Sequence, residues 1–191
     1  MGFIVRTTGD SSHADELLVP IGWQFMVDDN TAVDGNDQLL YFFPEMQPQE
    51  RKNLNECIDD KPENDAICDL FHRDHIIKVF KGGAPIRFAL LKTMPLSPGQ
   101  YRFTIDFFAD VVWGYEGDGT KQWAPEGYGE LHLCVENAFY QHLDWQPVPI
   151  GQVSSRQVEF IVPESQNVTL FAMFRNNYVT KNNGCSWIIS F

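Results

Sequence analysis

The chain has 191 residues, 43% apolar and 14% aromatic, enough for one domain to bury a core unaided and too apolar for a disordered chain. Its 26 acidic and 14 basic side chains leave a net charge of -12, which repels phosphate backbones and anionic lipid. Nucleic acid and membrane are therefore not expected as partners, whereas a neutral ligand, a cation or a basic protein is.

No apolar run approaches the roughly 18 residues of a membrane-spanning helix. The start, Met1-Gly2-Phe3-Ile4-Val5-Arg6, lacks the basic residues, apolar stretch and small-residue cleavage site of a signal peptide. The expectation is either a cytoplasmic chain or one from which a signal or larger parent has been trimmed.

In chain order, strands are expected over residues 3–6, 22–27 and 38–43. Asp28, Asp29, Asn30, Asp34, Asn36 and Asp37 crowd the loop between the last two. Their oxygens suit calcium, but the spacing is not that of an EF-hand and polar turn residues are the simpler reading. An acidic insertion with little periodicity follows at 47–74, where a short helix is expected. Cys57 and Cys68 flank its polar part and are spaced to close a loop in an oxidising compartment. His72 and His75 could meet on one helical turn, without a third ligand for zinc.

Strands are expected again at 75–80 and, past Gly82-Gly83, at 85–94. Ser97-Pro98-Gly99 then turns the chain into the clearest alternation. Tyr101, Phe103, Ile105, Phe107, Ala109 and Val111 share one face. Arg102, Thr104, Asp106, Phe108 and Asp110 share the other, which reads as an ordinary solvated or ligand-facing surface. Leu131, Leu133 and Val135 alternate with His132 and Cys134. Val158, Phe160 and Val162 form the next set, then Val168, Leu170, Ala172 and Phe174, with Met173 and Arg175 facing the other way. After Asn182-Asn183-Gly184, Trp187, Ile189 and Phe191 close the chain, with Cys185 in their register. Cys134 and Cys185 are expected to be separate free thiols.

About nine or ten short strands with Gly/Pro punctuation and no βαβ rhythm predict one all-β domain, an antiparallel β-sandwich with a small, partly helical insertion.

Residues 113–128 are the richest segment for chemistry. Trp113, Tyr115, Trp123 and Tyr128 stand among glycines with Glu116, Asp118 and Glu126. Flat aromatic faces stack on sugar C–H faces while carboxylates and amides bond the hydroxyls. The competing reading makes Trp113 and Trp123 plugs for the open end of the sandwich. No nucleophile elbow, zinc-protease helix, P-loop or dinucleotide fingerprint appears. A glycosidase pair such as Asp110 and Glu126 needs carboxylates about 5–10 Å apart, and acidic residues are too abundant here for a pairing to be informative.

Several segments carry a resemblance: Val19-Pro20-Ile21-Gly22-Trp23, Pro44-Glu45, Pro98-Gly99-Gln100-Tyr101-Arg102-Phe103, Asp110-Val111-Val112-Trp113-Gly114-Tyr115, Trp123-Ala124-Pro125, and Phe174-Arg175 followed by Asn182-Asn183-Gly184. Together they resemble bacterial galactose-binding-like jelly rolls of the carbohydrate-binding-module type. The resemblance implies a jelly roll, a non-catalytic glycan-binding role and an extracellular or cell-surface setting. Its polar site candidates are Asp110, Glu126, Arg175 and Asn183, beside the stacking rings of Trp113, Tyr115 and Trp123. Where that family ends in paired aspartates that help hold a structural calcium, this chain has Ser186-Trp187-Ile188-Ile189-Ser190, so no cofactor is expected. The rival reading is a structural or protein-interaction module of a larger surface or virion assembly, and an enzyme comes third.

Overall fold

The structure, a computed structural model, describes residues 3–5, 18–27, 45–49, 76–82, 86–176 and 184–190. Every regular element among them is a strand: β1 (Phe3–Val5), β2 (Leu18–Pro20), β3 (Gln24–Val27), β4 (Glu45–Gln49), β5 (Ile76–Gly82), β6 (Arg87–Leu96), β7 (Gly99–Tyr115), β8 (Lys121–Trp123), β9 (Gly129–Glu136), β10 (Phe139–Tyr140), β11 (Gln146–Pro147), β12 (Val153–Val162), β13 (Gln166–Asn176) and β14 (Gly184–Ser190).

Two antiparallel sheets face each other. The first runs β10-β12-β7-β14-β5-β4, with β8 attached to the end of β7; the second runs β11-β9-β13-β6-β3. A separate ribbon pairs β1 with β2. Period-two alternation produces this layering because successive side chains of a strand point to opposite sheet faces. In β7 the expected set Phe103, Ile105, Phe107, Ala109 and Val111 is buried inward, as are Leu131, Leu133 and Val135 of β9 and Val168, Leu170, Ala172 and Phe174 of β13.

An aromatic ladder crosses between the sheets. Phe88 of β6 stacks on Phe174 of β13 at 4.8 Å between centroids, Phe174 meets Trp187 of β14 at 5.0 Å, and Trp187 meets Phe107 of β7 at 5.9 Å. The Trp187 indole Nε1–H donates to Asn176 Oδ1 at 3.1 Å, so the ring is held by packing and by one buried polar contact. Cys134 lies on the face of β9 away from this core and is a free thiol; burial, then Glu136, pushes its pKa up.

Two expectations change. The first three residues of the insertion in which a short helix is expected, Gln47–Gln49, belong to β4. The remainder of that insertion with Cys57, Cys68, His72 and His75 lies outside the described residues, as do the expected strand 38–43 and the Asp/Asn loop 28–37. The second change concerns the far face of β7. Phe108 is 0% exposed, Asp110 8% and Val112 3%, so this end of the strand is covered on both sides. Alternation tells which side of a strand a residue takes, but not whether something lies over that side.

Candidate functional site

β7 is 17 residues long and outruns the sheet it belongs to. Residues 99–108 pair with β12 and 106–111 with β14, while Val112, Gly114 and Tyr115 pair only with β8. The register shifts between Val112 and Gly114, a bulge centred on Trp113. Simple alternation would group Tyr115 with Trp113. The bulge instead returns Tyr115 to the face of Val112. Directly paired residues share a face, so Tyr115, Lys121, Trp123 and Val112 form one row, continued inward by Asp110 and Phe108.

The hairpin tip is closed by local turn chemistry. Thr120 N–H donates to Asp118 Oδ1 at 2.9 Å and Gly119 N–H to the Glu116 carbonyl at 3.0 Å. Gly119 takes φ +87°, a conformation in which only glycine is unstrained.

Trp123 is seated and not free. Its ring meets Phe108 edge-on at 5.8 Å, and its face rests on the backbone of Gly151: a Cβ there would come within 2.5–2.8 Å of Trp123 Cδ2, Cε2 and Cγ. Gly151 is held in turn by donating to the Ala109 carbonyl at 3.0 Å. The Lys121 ammonium lies over the same indole, 5.3 Å from the centroid, and is 3.3 Å from Asp110 Oδ1. Both side chains of this ion pair are nearly buried, at 13% and 11% exposure. Such a pair is stable only while both partners remain, so Asp110 fixes where Lys121 stands beside Trp123. The result is a ledge on the outer face of the first sheet, with Tyr115 55% and Trp123 36% exposed.

Trp113 lies at the break itself, 52% exposed, its ring edge-on to Tyr128 at 5.4 Å. Glu126 is exposed in the turn that follows Ala124. Arg175 is elsewhere, on the outer face of the second sheet. Its Nε–H donates to Glu130 Oε2 at 2.6 Å and its guanidinium lies 4.1 Å from the centre of the Trp145 ring. Asn183 lies outside the described residues. The structure thus gathers Asp110, Tyr115 and Trp123, sets Trp113 beside them across the bulge, and separates Arg175 by the thickness of the sandwich. Sequence reading passed over Lys121; its i, i+2 spacing from Trp123 in a strand was the available signal.

A second concavity, a groove of about 510 Å³, crosses the other end of the first sheet over β10, β12 and β7. Cross-strand pairing lines up Phe139 with Ile161 and Gln100, and Glu159 with Arg102. Phe139 is 69% and Ile161 47% exposed, and Arg102 Nη2 bonds Glu159 Oε1 at 2.9 Å, with Gln141 completing the wall.

No group of three or more His, Cys, Asp or Glu side chains that could hold a metal occurs among the described residues. No helix among them is long and apolar enough to cross a membrane. The chain matches no known family model and none of the curated proteins it was compared with.

Proposed function

We propose that this chain is a non-catalytic jelly-roll module that binds a neutral glycan on the exposed rings around the β7–β8 hairpin. Four strands of the first sheet run β5-β14-β7-β12 and four of the second β6-β13-β9-β11, with the long strands alternating between sheets along the chain. That order supports a jelly roll, with β3, β4 and β10 as added edges.

The observation that carries the binding reading is the exposure of Trp113 and Tyr115, at 52% and 55%, beside a core that is closed without them. Two large rings held on a short hairpin are rigid, amphipathic contact area of the kind sugar faces stack upon. Asp110, bonded to Lys121 and nearly buried, suits a positioning part better than that of a catalytic acid. The exposed Phe139–Ile161 pair favours the second reading, a protein-interaction module, because contiguous exposed apolar surface marks contact sites.

Titration of the tryptophan fluorescence with a panel of neutral oligosaccharides tests the first reading. Trp113→Ala and Tyr115→Ala should each weaken binding by about 1–3 kcal/mol while moving the melting temperature little. Trp123→Ala, which empties the seat on Gly151 and Phe108, should lose stability as well. Flat titrations with every sugar, together with a melting temperature that collapses in Trp113→Ala, would overturn the glycan site and leave the interaction module.

A further inference from the structure

Between β10 and β11 the chain forms a strap. It leaves the edge of the first sheet at Tyr140 and joins the second where Gln146 pairs with Leu131 of β9. On the way it carries His142, Asp144 and Trp145 to the outer face of β9 and β13. There the His132 ring lies 5.3 Å from His142 and 5.7 Å from Trp145, centroid to centroid, and His142 lies 5.9 Å from Tyr140. Trp145 is also held by the Arg175 guanidinium, 4.1 Å from its ring centre and itself bonded to Glu130. In the middle of this packing, His132 Nε2 is buried with no hydrogen-bond partner.

We propose that His132 is the latch of an acid-released clasp: neutral, it lets the strap close over β9, and protonated, it drives the strap off the sheet. A neutral imidazole tolerates the aromatic surroundings, but an imidazolium there is a partly desolvated charge whose buried Nε2–H has no acceptor. Among the described residues, the charged or titratable groups facing it are Glu130 and Cys134 on β9, Arg175 on β13, His142 and Asp144 on the strap, and Tyr140 on β10. Glu130 is already taken by Arg175. Asp144 favours the charged imidazole, but its carboxylate also accepts from the Trp145 N–H at 2.8 Å. Burial, first, and then His142 outweigh Asp144, with Arg175 acting the same way, and they hold the His132 pKa below its ordinary 6.5.

The sign follows. With the strap open, His132 returns to water and to a value near 6.5, so the open state takes up the proton more readily. The closed strap is at full strength above about pH 6.5 and loses stability as the pH falls below that, until the closed state's lower value is passed.

Amide exchange of the full chain, read by mass spectrometry and corrected for intrinsic rates, tests this at about pH 7.5 and 5.0. Protection of the peptide covering residues 141–148 should be lost at the lower pH relative to its value at about pH 7.5, because the open state takes up the proton more readily. A β13 peptide should keep its protection. His132→Phe retains the ring contacts without a proton to gain, and His132→Gln serves if the larger ring does not fold; either should abolish the pH response of the strap. Protection of 141–148 that is unchanged by pH in the parent chain, an equal fall in the His132 variants, or an equal fall in β13 would each overturn the clasp.

Discussion

Replacing Trp187 with Ala is expected to destabilise the protein by about 3–5 kcal/mol, the range for emptying a large buried aromatic site. The ring is 0% exposed and joins Phe107 of one sheet to Phe174 of the other, so its loss opens a cavity where the two layers meet. It also removes the donor to Asn176 Oδ1, and Asn176 Nδ2 already has no partner. Trp187→Phe separates the two contributions: it keeps most of the packing and orphans the same oxygen, at roughly 1–3 kcal/mol. Thermal melting reads both. For a chain of this length the Ala variant should melt roughly 6–20 °C lower. A midpoint within a degree of the parent would mean that Trp187 does not bridge the sheets.

Gly151→Ala carries the next largest effect. The new methyl would stand 2.5 Å from Trp123 Cδ2 and 2.6 Å from Cε2, on a backbone at φ +71°. Backbone strain and overpacking together should cost about 2–4 kcal/mol. Part of that is relieved if the indole swings off its seat, which would change its fluorescence and carry Lys121 and Asp110 with it. Gly119→Ala is the matched control: its φ is +87°, but a Cβ there meets nothing within 4 Å. It should therefore show the conformational cost alone, about 1–2 kcal/mol. Equal losses in the two variants, with unchanged tryptophan emission in both, would remove Gly151 as the support of the ledge.

The candidate site was legible in part. The aromatic density of residues 113–128 drew attention to the hairpin from composition alone, and the exposures of Trp113 and Tyr115 fit that attention. The grouping of its residues was not legible. A single bulge at Trp113 changes which residues share a face with Tyr115, and nothing in the local alternation announces one. Arg175 takes the same non-core register as Asp110, but β13 belongs to the other sheet, where its partners are Glu130 and Trp145.

Strand identity and facing depend on neighbours one and two residues away, because the pleat alternates side chains with a period of two. For that reason the all-β class, the inward sets of β7, β9, β12 and β13, and the outward placement of Cys134 could be read from local order alone. Coverage depends on residues far apart in the chain. The packed fold is what places Phe108 and Asp110 beneath Trp123 and Lys121, rests the indole on Gly151, and brings His142 and Trp145 against His132. These contacts join segments brought together by the pairing of β7 with β8 and by the strap that links the two sheets, distances over which local periodicity carries no information.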